Sequence, residues 1–274
     1  MGDVVSLMPP GMFALADLPQ RGPLGRVAFG SGWSELDTIF KFYPGQFTVV
    51  TGSPGHGKST VLLNILAKLA REQGIKSFLY GPENEQSIGE KMRLLWPGTA
   101  DQFEHFAASQ FIVQSSEQFT QDEPLHDIDW VLDRASWAVE HRQIEVVMID
   151  PWNELEMIKP RDLAMTDYVR ECIKKMKDFV RSHKVAFVIV VHPTKDAAKD
   201  GRVPSLYDCE NSAHWWNKSD NGLIVHRDRE HMDACKIISA KVREIGAGMP
   251  GECLFWVDRE TGRMWPKEGC VCVY

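Results

Sequence analysis

The 274-residue sequence has no stretch long and apolar enough to cross a membrane, and its amino terminus lacks the charged-then-apolar order of a secretory signal. No run of basic residues occurs, and the net charge is −7. A whole-surface attraction to nucleic acid is therefore excluded, and any contact with DNA must be local. Cysteine is sparse and unpaired in pattern: Cys172, Cys209, Cys235, Cys253, Cys270 and Cys272 include no CxxC, and the final CVC is too tight for a zinc knuckle. They read as free thiols of a reducing, cytoplasmic compartment. Internal repeats are absent, and no shift in composition marks a second domain.

What is present is an alternation. Residues 1–25 are rich in Gly and Pro and read as an arm or linker, in which MFALADL (12–18) has an apolar face. From 26 to 274 the chain reads as one domain. Short β-branched or aromatic runs at 47–52, 77–81, 111–114, 146–150 and 186–192 predict strands. Helical patterns fall at 58–72, 85–96, 127–142 and 165–183. Apolar strands separated by helices predict a parallel sheet covered on both faces. After residue 221 the pattern changes to strands joined by short turns, which predicts antiparallel hairpins at the end of the sheet.

The sharpest motif is GSPGHGKS, Gly52 to Ser59, which fits GxxxxGK[ST]. A chance match in a chain of this size has a probability of roughly one per cent. It also follows a strand and opens a helix, as phosphate binding requires. The loop of Gly52, Ser53, Pro54, Gly55, His56, Gly57, Lys58, Ser59 and Thr60 would wrap the phosphates with its backbone N–H groups, aided by the helix N-terminus. Lys58 would reach the β- and γ-phosphates, and Ser59 would ligate Mg²⁺. The motif predicts binding of ATP or another NTP or dNTP.

An acidic metal partner is expected at the end of a neighbouring strand, and VVMIDPWNE supplies Asp150. Orientation of the attacking water is expected from an acid after a strand adjacent to the phosphate-loop strand. GPENEQS offers Glu83 and Glu85, and spacing alone does not choose between them. His192 leaves the run AFVIVVH at the carboxyl edge, where ligands collect in open α/β sheets. The segment 193–221 that follows has little periodicity, and loops of such length are functional or disordered. Near the end, SAKVREIG sets Lys241 and Arg243 two apart on a strand, hence on one face. A solvated edge is the simple explanation of that pair.

Together FGSGWSELDTIFKFYPGQFTVVTGSPGHGKST, YGPENE, VVMIDPWNE, VVHPTK, SAHWWNKSDNGLIVHRD and SAKVREIG resemble the RecA-like ATPase domain of DnaB-type hexameric replicative helicases. The phage primase–helicases and Twinkle-like helicases are the members most alike, and the resemblance spans about residues 26–265. It implies an α/β RecA-like P-loop NTPase fold: a mainly parallel central sheet flanked by helices, with C-terminal antiparallel hairpins. It implies an NTP- and Mg²⁺-dependent ring, a hexamer, that moves 5′-to-3′ on single-stranded DNA in the cytoplasm of a bacterial or phage-infected cell. Glu83 matches the catalytic carboxylate and His192 the γ-phosphate sensor. The segment after Asp150 matches a first channel loop, and 193–220 a second, DNA-gripping one, with Lys195, Lys199 and Arg202 as its cations. Lys241 and Arg243 match the finger that one subunit places in its neighbour's site, and MFALADL would dock on the adjacent subunit. The base-stacking aromatic falls at Phe255, Trp256 or Val257. No primase-like, zinc-ribbon or DnaB-like N-terminal pattern stands ahead of residue 26, so the sequence reads as either a stand-alone helicase or a piece of a longer chain. The resemblance also implies a primase or loader as a partner.

Two rival readings remain. One is a RecA- or RadA-like recombination ATPase that forms filaments on DNA, to whose polymerisation motif Phe13 to Ala16 bears a short resemblance. The other is an NTP-switched regulatory assembly protein whose hydrolysis ignores DNA.

Overall fold

A computed structural model describes Met12, Ala14 and residues 28–83, 85–115, 126–199, 202–227 and 233–274, with backbone alone at 85–86 and 198–199. The arm over 1–25 and the MFALADL segment therefore lie, apart from Met12 and Ala14, outside the described residues.

The strands are β1 (Phe47–Thr51), β2 (Ser77–Tyr80), β3 (Phe111–Gln114), β4 (Val146–Ile149), β5 (Ala186–Val190), β6 (Asn221–His226), β7 (Ala234–Val242), β8 (Gly251–Val257) and β9 (Met264–Val273). They form one nine-stranded sheet in the order β3-β2-β4-β5-β1-β6-β7-β8-β9. Pairing is parallel from β3 through β6 and antiparallel from β6 to β9. The helices are α1 (Ser34–Ile39), α2 (Lys58–Gln73), α3 (Glu85–Leu95), α4 (Ala100–Gln110), α5 (Ile128–Arg142), α6 (Met165–His183), α7 (Lys195–Lys199) and α8 (His214–Lys218).

Alternation along the strands explains why the parallel part reads as unbroken apolar runs. Val50 faces the core shared with α1, α2 and α3, whereas Phe47 and Val49 face the core shared with α5 and α6. Both faces are covered, so both sets of side chains must be apolar. In β8 the pattern changes: Cys253, Phe255 and Val257 are buried, while Glu252, Leu254 and Trp256 are only partly covered. That is the one-sided burial of an antiparallel hairpin.

Helix ends follow local chemistry. Gly57 (φ 88°) and Gly74 (φ 71°) bracket α2 in left-handed conformations. Asp127 caps α5 by accepting from Trp130 N at 2.9 Å, which stabilises the first turn by about 1 kcal/mol. The amphipathic α6 buries Tyr168, Val169, Cys172, Ile173, Met176, Phe179 and Val180, the i, i+4, i+8 spacing of one helical face.

Two expectations are corrected. The strands ending at Asp150 and near Glu83 are not neighbours of β1; β5 separates β1 from β4, and β2 lies one place further out. The chain leaves β1 for β2 and fills the two skipped places only later, an order that spacing does not carry. The segment 193–221 is also ordered over its described residues, 193–199 and 202–221: it holds α7, α8 and a 3₁₀ turn at Leu206–Asp208, and its start pairs Pro193 with Cys209.

Candidate nucleotide site

The phosphate loop leaves β1 at the carboxyl edge of the parallel sheet and opens α2. Gly52 (φ 149°) passes so close to β6 that a Cβ there would run into the Val225 carbonyl oxygen. Gly57 (φ 88°) lies against the Arg227 guanidinium, 3.0 Å from where a Cβ would stand. Any side chain at either place would have to displace the loop or its neighbour. His56 Nδ1 accepts from Arg227 N at 3.1 Å, tying the loop to the end of β6.

Lys58 is buried and its Nζ donates to the carbonyls of Gly52 at 2.8 Å and Ser53 at 3.3 Å. Burial pulls its pKa below the ordinary lysine value, opposed by the nearby Asp150 and Glu83 carboxylates. Asp150 is also buried; burial raises its pKa, with the nearby Ser59 hydroxyl and Lys58 acting the other way. Its backbone N–H is held by Tyr80 O at 2.9 Å, which draws the ends of β2 and β4 together. β4 lies two strand spacings, about 10 Å, from β1, and Asp150 and Lys58 extend from the strand end and the start of α2 into that gap.

Glu83 and His192 meet at the same edge, with Nε2 to Oε2 at 3.9 Å. Burial and the Lys58 charge push the His192 pKa down, with Glu83 and Asp150 opposing. His192 is positioned by its backbone: its N–H donates to Asn153 Oδ1 at 3.1 Å, and its carbonyl accepts from Glu210 N at 2.9 Å. Asn153 Nδ2 in turn donates to Glu210 Oε2 at 2.7 Å. Loops from β4 and β5 are thus joined directly behind the histidine. Lys58, Ser59, Asp150, Glu83 and His192 are brought together; the Glu85 side chain lies outside the described residues.

The hard oxygen pair of Ser59 and Asp150 fits Mg²⁺, which binds proteins through one or two carboxylates and keeps its other positions for water and phosphate. When bound there, Mg²⁺ would offset negative charge on the nucleotide's phosphates.

Other expected residues are placed differently. Arg202 donates to both oxygens of Asp208, at 2.9 and 2.8 Å, and holds that carboxyl down at about 2. Its charge is spent within the chain, which argues against it as a free DNA-facing cation. Lys195 is exposed at the start of α7, and the Lys199 side chain lies outside the described residues. Phe255 and Val257 are core residues, whereas Trp256 points away from that core with Lys267 Nζ 4.9 Å from its ring centre.

Lys241 and Arg243 sit at the opposite edge of the sheet. Val242 pairs with Asn221, and Asn221 with Thr48, four residues before Gly52. About 13 Å of strand therefore separates them from their own phosphate loop. Lys241 Nζ donates to Trp216 O and stands 5.6 Å over the Trp216 ring. Arg243 Nη1 donates to Asp220 Oδ1 at 2.9 Å.

Arg227 is the residue that the sequence reading missed. Its place directly after the apolar run GLIVH, as the strand leaves the core at the same edge as Asp150 and His192, was the available signal.

A phosphate loop between β1 and α2, an acid at the end of β4, and an acid–histidine pair beside them define a P-loop NTPase of the RecA-like class. The chain belongs to the AAA-domain family, whose pattern matches residues 37–198. It is 33% identical over 255 residues to a Twinkle homolog protein, chloroplastic/mitochondrial, of Arabidopsis thaliana, covering 85% of this chain and 35% of that protein. It is 27% identical over 179 residues to the DNA repair protein RadA of Salmonella typhimurium, covering 63% of this chain and 33% of that one. The chain thus spans about a third of the length of these relatives. Among solved structures, one described as an ATPase domain superimposes with a TM-score of 0.71 at 17% identity, over 87% of this chain and 90% of that one. A DnaB-like replicative helicase, described with its interactions with primase, gives 0.69 at 15%, over 85% and 62%. Both share the fold.

Proposed function

We propose that this chain is the motor of a ring-shaped, Mg²⁺-dependent NTP-driven helicase that moves along single-stranded DNA and unwinds duplex. The observation that carries the reading is the split of the catalytic set between two edges of one sheet. Lys58, Ser59, Asp150, Glu83 and His192 gather at the carboxyl edge, while the cations Lys241 and Arg243 stand at the amino edge, beyond reach of that site. Two such edges complete each other only between subunits, and a closed ring of such contacts, a hexamer in this reading, completes every site.

Each residue then has a task. Lys58 holds phosphate, Ser59 and Asp150 hold the metal, and Glu83 orients the attacking water. His192, kept neutral by burial, contacts the γ-phosphate and passes its presence to Asn153 and Glu210. Lys241 and Arg243 offset charge gathering on the neighbour's γ-phosphate. Trp256 is the residue of its trio free to stack on a base. The Twinkle and DnaB-like likenesses favour DNA as the track, with a primase or loader as a further partner.

The test is ATP hydrolysis with and without single-stranded DNA across protein concentrations. The expected result is a specific rate that climbs with concentration and rises several-fold with DNA. A rate independent of concentration and of DNA would remove the motor reading and favour a regulatory NTPase. The RadA relatives support a second reading, a filament-forming recombination ATPase; electron microscopy showing open filaments instead of closed rings would select it.

A further inference from the structure

We infer that Asp220 is the positioning residue that aims Arg243 at the neighbouring subunit's phosphates; this rests on the finger reading of Arg243. Asp220 is buried at the junction between the segment 193–220 and β6. Its Oδ2 accepts from Phe47 N at 3.1 Å, and its own N–H donates to Phe47 O at 2.9 Å. Its Oδ1 accepts from Lys177 Nζ at 2.8 Å and Arg243 Nη1 at 2.9 Å. Lys177 is itself fixed, donating also to Lys218 O at 2.7 Å.

Three features separate this arrangement from an ordinary ion pair. The carboxylate is immobile, because the start of β1 and a lysine of α6 hold it whether or not Arg243 is there. Its charge is shared between two cations, so the guanidinium keeps a net positive field where a one-to-one pair would cancel it. Arg243 is tethered through one nitrogen among the described contacts, and its side chain is 47% exposed against 11% for Asp220. The remaining N–H donors of the fork are free to meet phosphate oxygens. Lys241 takes its anchor from the same segment, through the carbonyl and ring of Trp216.

A finger contributes on the order of 10³–10⁵ in rate, and displacing a group by about 1 Å costs up to about 10²-fold. The experiment measures kcat and KM for ATP with single-stranded DNA, above the assembly concentration, alongside thermal unfolding. Arg243→Ala is expected to lower kcat by about 10³-fold or more. Asp220→Asn and the charge-retaining Asp220→Glu are each expected to lower kcat by about 10- to 100-fold with KM unchanged. The double variant Asp220→Asn/Arg243→Ala should be no worse than Arg243→Ala alone. Mixing Asp220→Asn with Lys58→Ala chains should restore activity above either, because each supplies the half-site the other lacks.

Wild-type kcat in a folded Asp220 variant, additive losses in the double variant, or no recovery on mixing would overturn the proposal. So would failure of both Asp220 variants to fold, which would make Asp220 a support of the fold. Wild-type kcat in Arg243→Ala would instead remove the finger reading itself.

Discussion

Lys241 occupies a place that works against its own charge. Burial, and then the adjacent Arg243, pull its pKa down to about 8, while Asp220 opposes and Lys177 adds to the effect. Between about pH 8 and the ordinary lysine value near 10.5, the folded chain binds fewer protons here than the unfolded one. Stability contributed at this site therefore rises with pH across that window. The charge that the proposed finger would bring to a neighbour's phosphates falls across the same window. DNA-stimulated hydrolysis is expected to decline as pH rises through about 8, and Lys241→Arg, which stays protonated, should flatten the decline. A wild-type profile level to about pH 9.5 would exclude Lys241 from the rate. At the opposite edge, Asp150→Asn removes the charged oxygen of the proposed metal pair and leaves two neutral ones. Hydrolysis by that variant should need at least about tenfold more Mg²⁺, measured by titration, if Asp150 is a ligand.

Between residues and the whole lie the elements, and α8 shows how order is imposed from a distance. Trp215 is fully buried, packs edge-on against Trp152 at 5.2 Å, and donates from Nε1 to Glu210 O at 3.1 Å. Trp215→Ala is expected to cost about 3–5 kcal/mol in denaturant unfolding, and to weaken DNA stimulation because α8 carries the anchors of Lys241. These contacts also explain why 193–221 read as structureless: its partners are Trp152, His192 and β6, and none imposes a local period. The helix Ala100–Gln110 was missed for a related reason. It buries Phe103 and little else, so its apolar stripe is faint, although its Thr99/Gln102 capping box was there to be read. By contrast, the parallel strands and the long helices were legible because burial on two faces, or along one stripe, writes itself into composition. The phosphate loop was legible because its glycines answer to backbone geometry. Arg227 and Asp220 were not, since each acts through a partner far away in the chain, Gly57 and Arg243 respectively being reached only after folding. Strand order, likewise, left no trace in spacing.

At the scale of the molecule, the sheet ends, among the described residues, in the edge strands β3 and β9. Strand β9 carries Pro266, Lys267 and Glu268 and a register shift against β8, features that discourage edge-to-edge pairing. Assembly by extending the sheet through β9 is thus disfavoured. The two half-sites proposed above, acceptor at the carboxyl edge and donor at the amino edge, would give the chain a direction. A twofold pair in which each donor meets the other's acceptor and a head-to-tail series both satisfy that contact; the proposed ring takes the second. In an open series one terminal acceptor always lacks its donor and one terminal donor has nothing to act on. Closing the series removes both ends at once, so the last subunit to join completes two contacts where every earlier one completed a single contact. In the proposed ring the polarity of one sheet would act as a counting rule, and ring closure, more than growth, would be the step at which the full complement of sites comes into being.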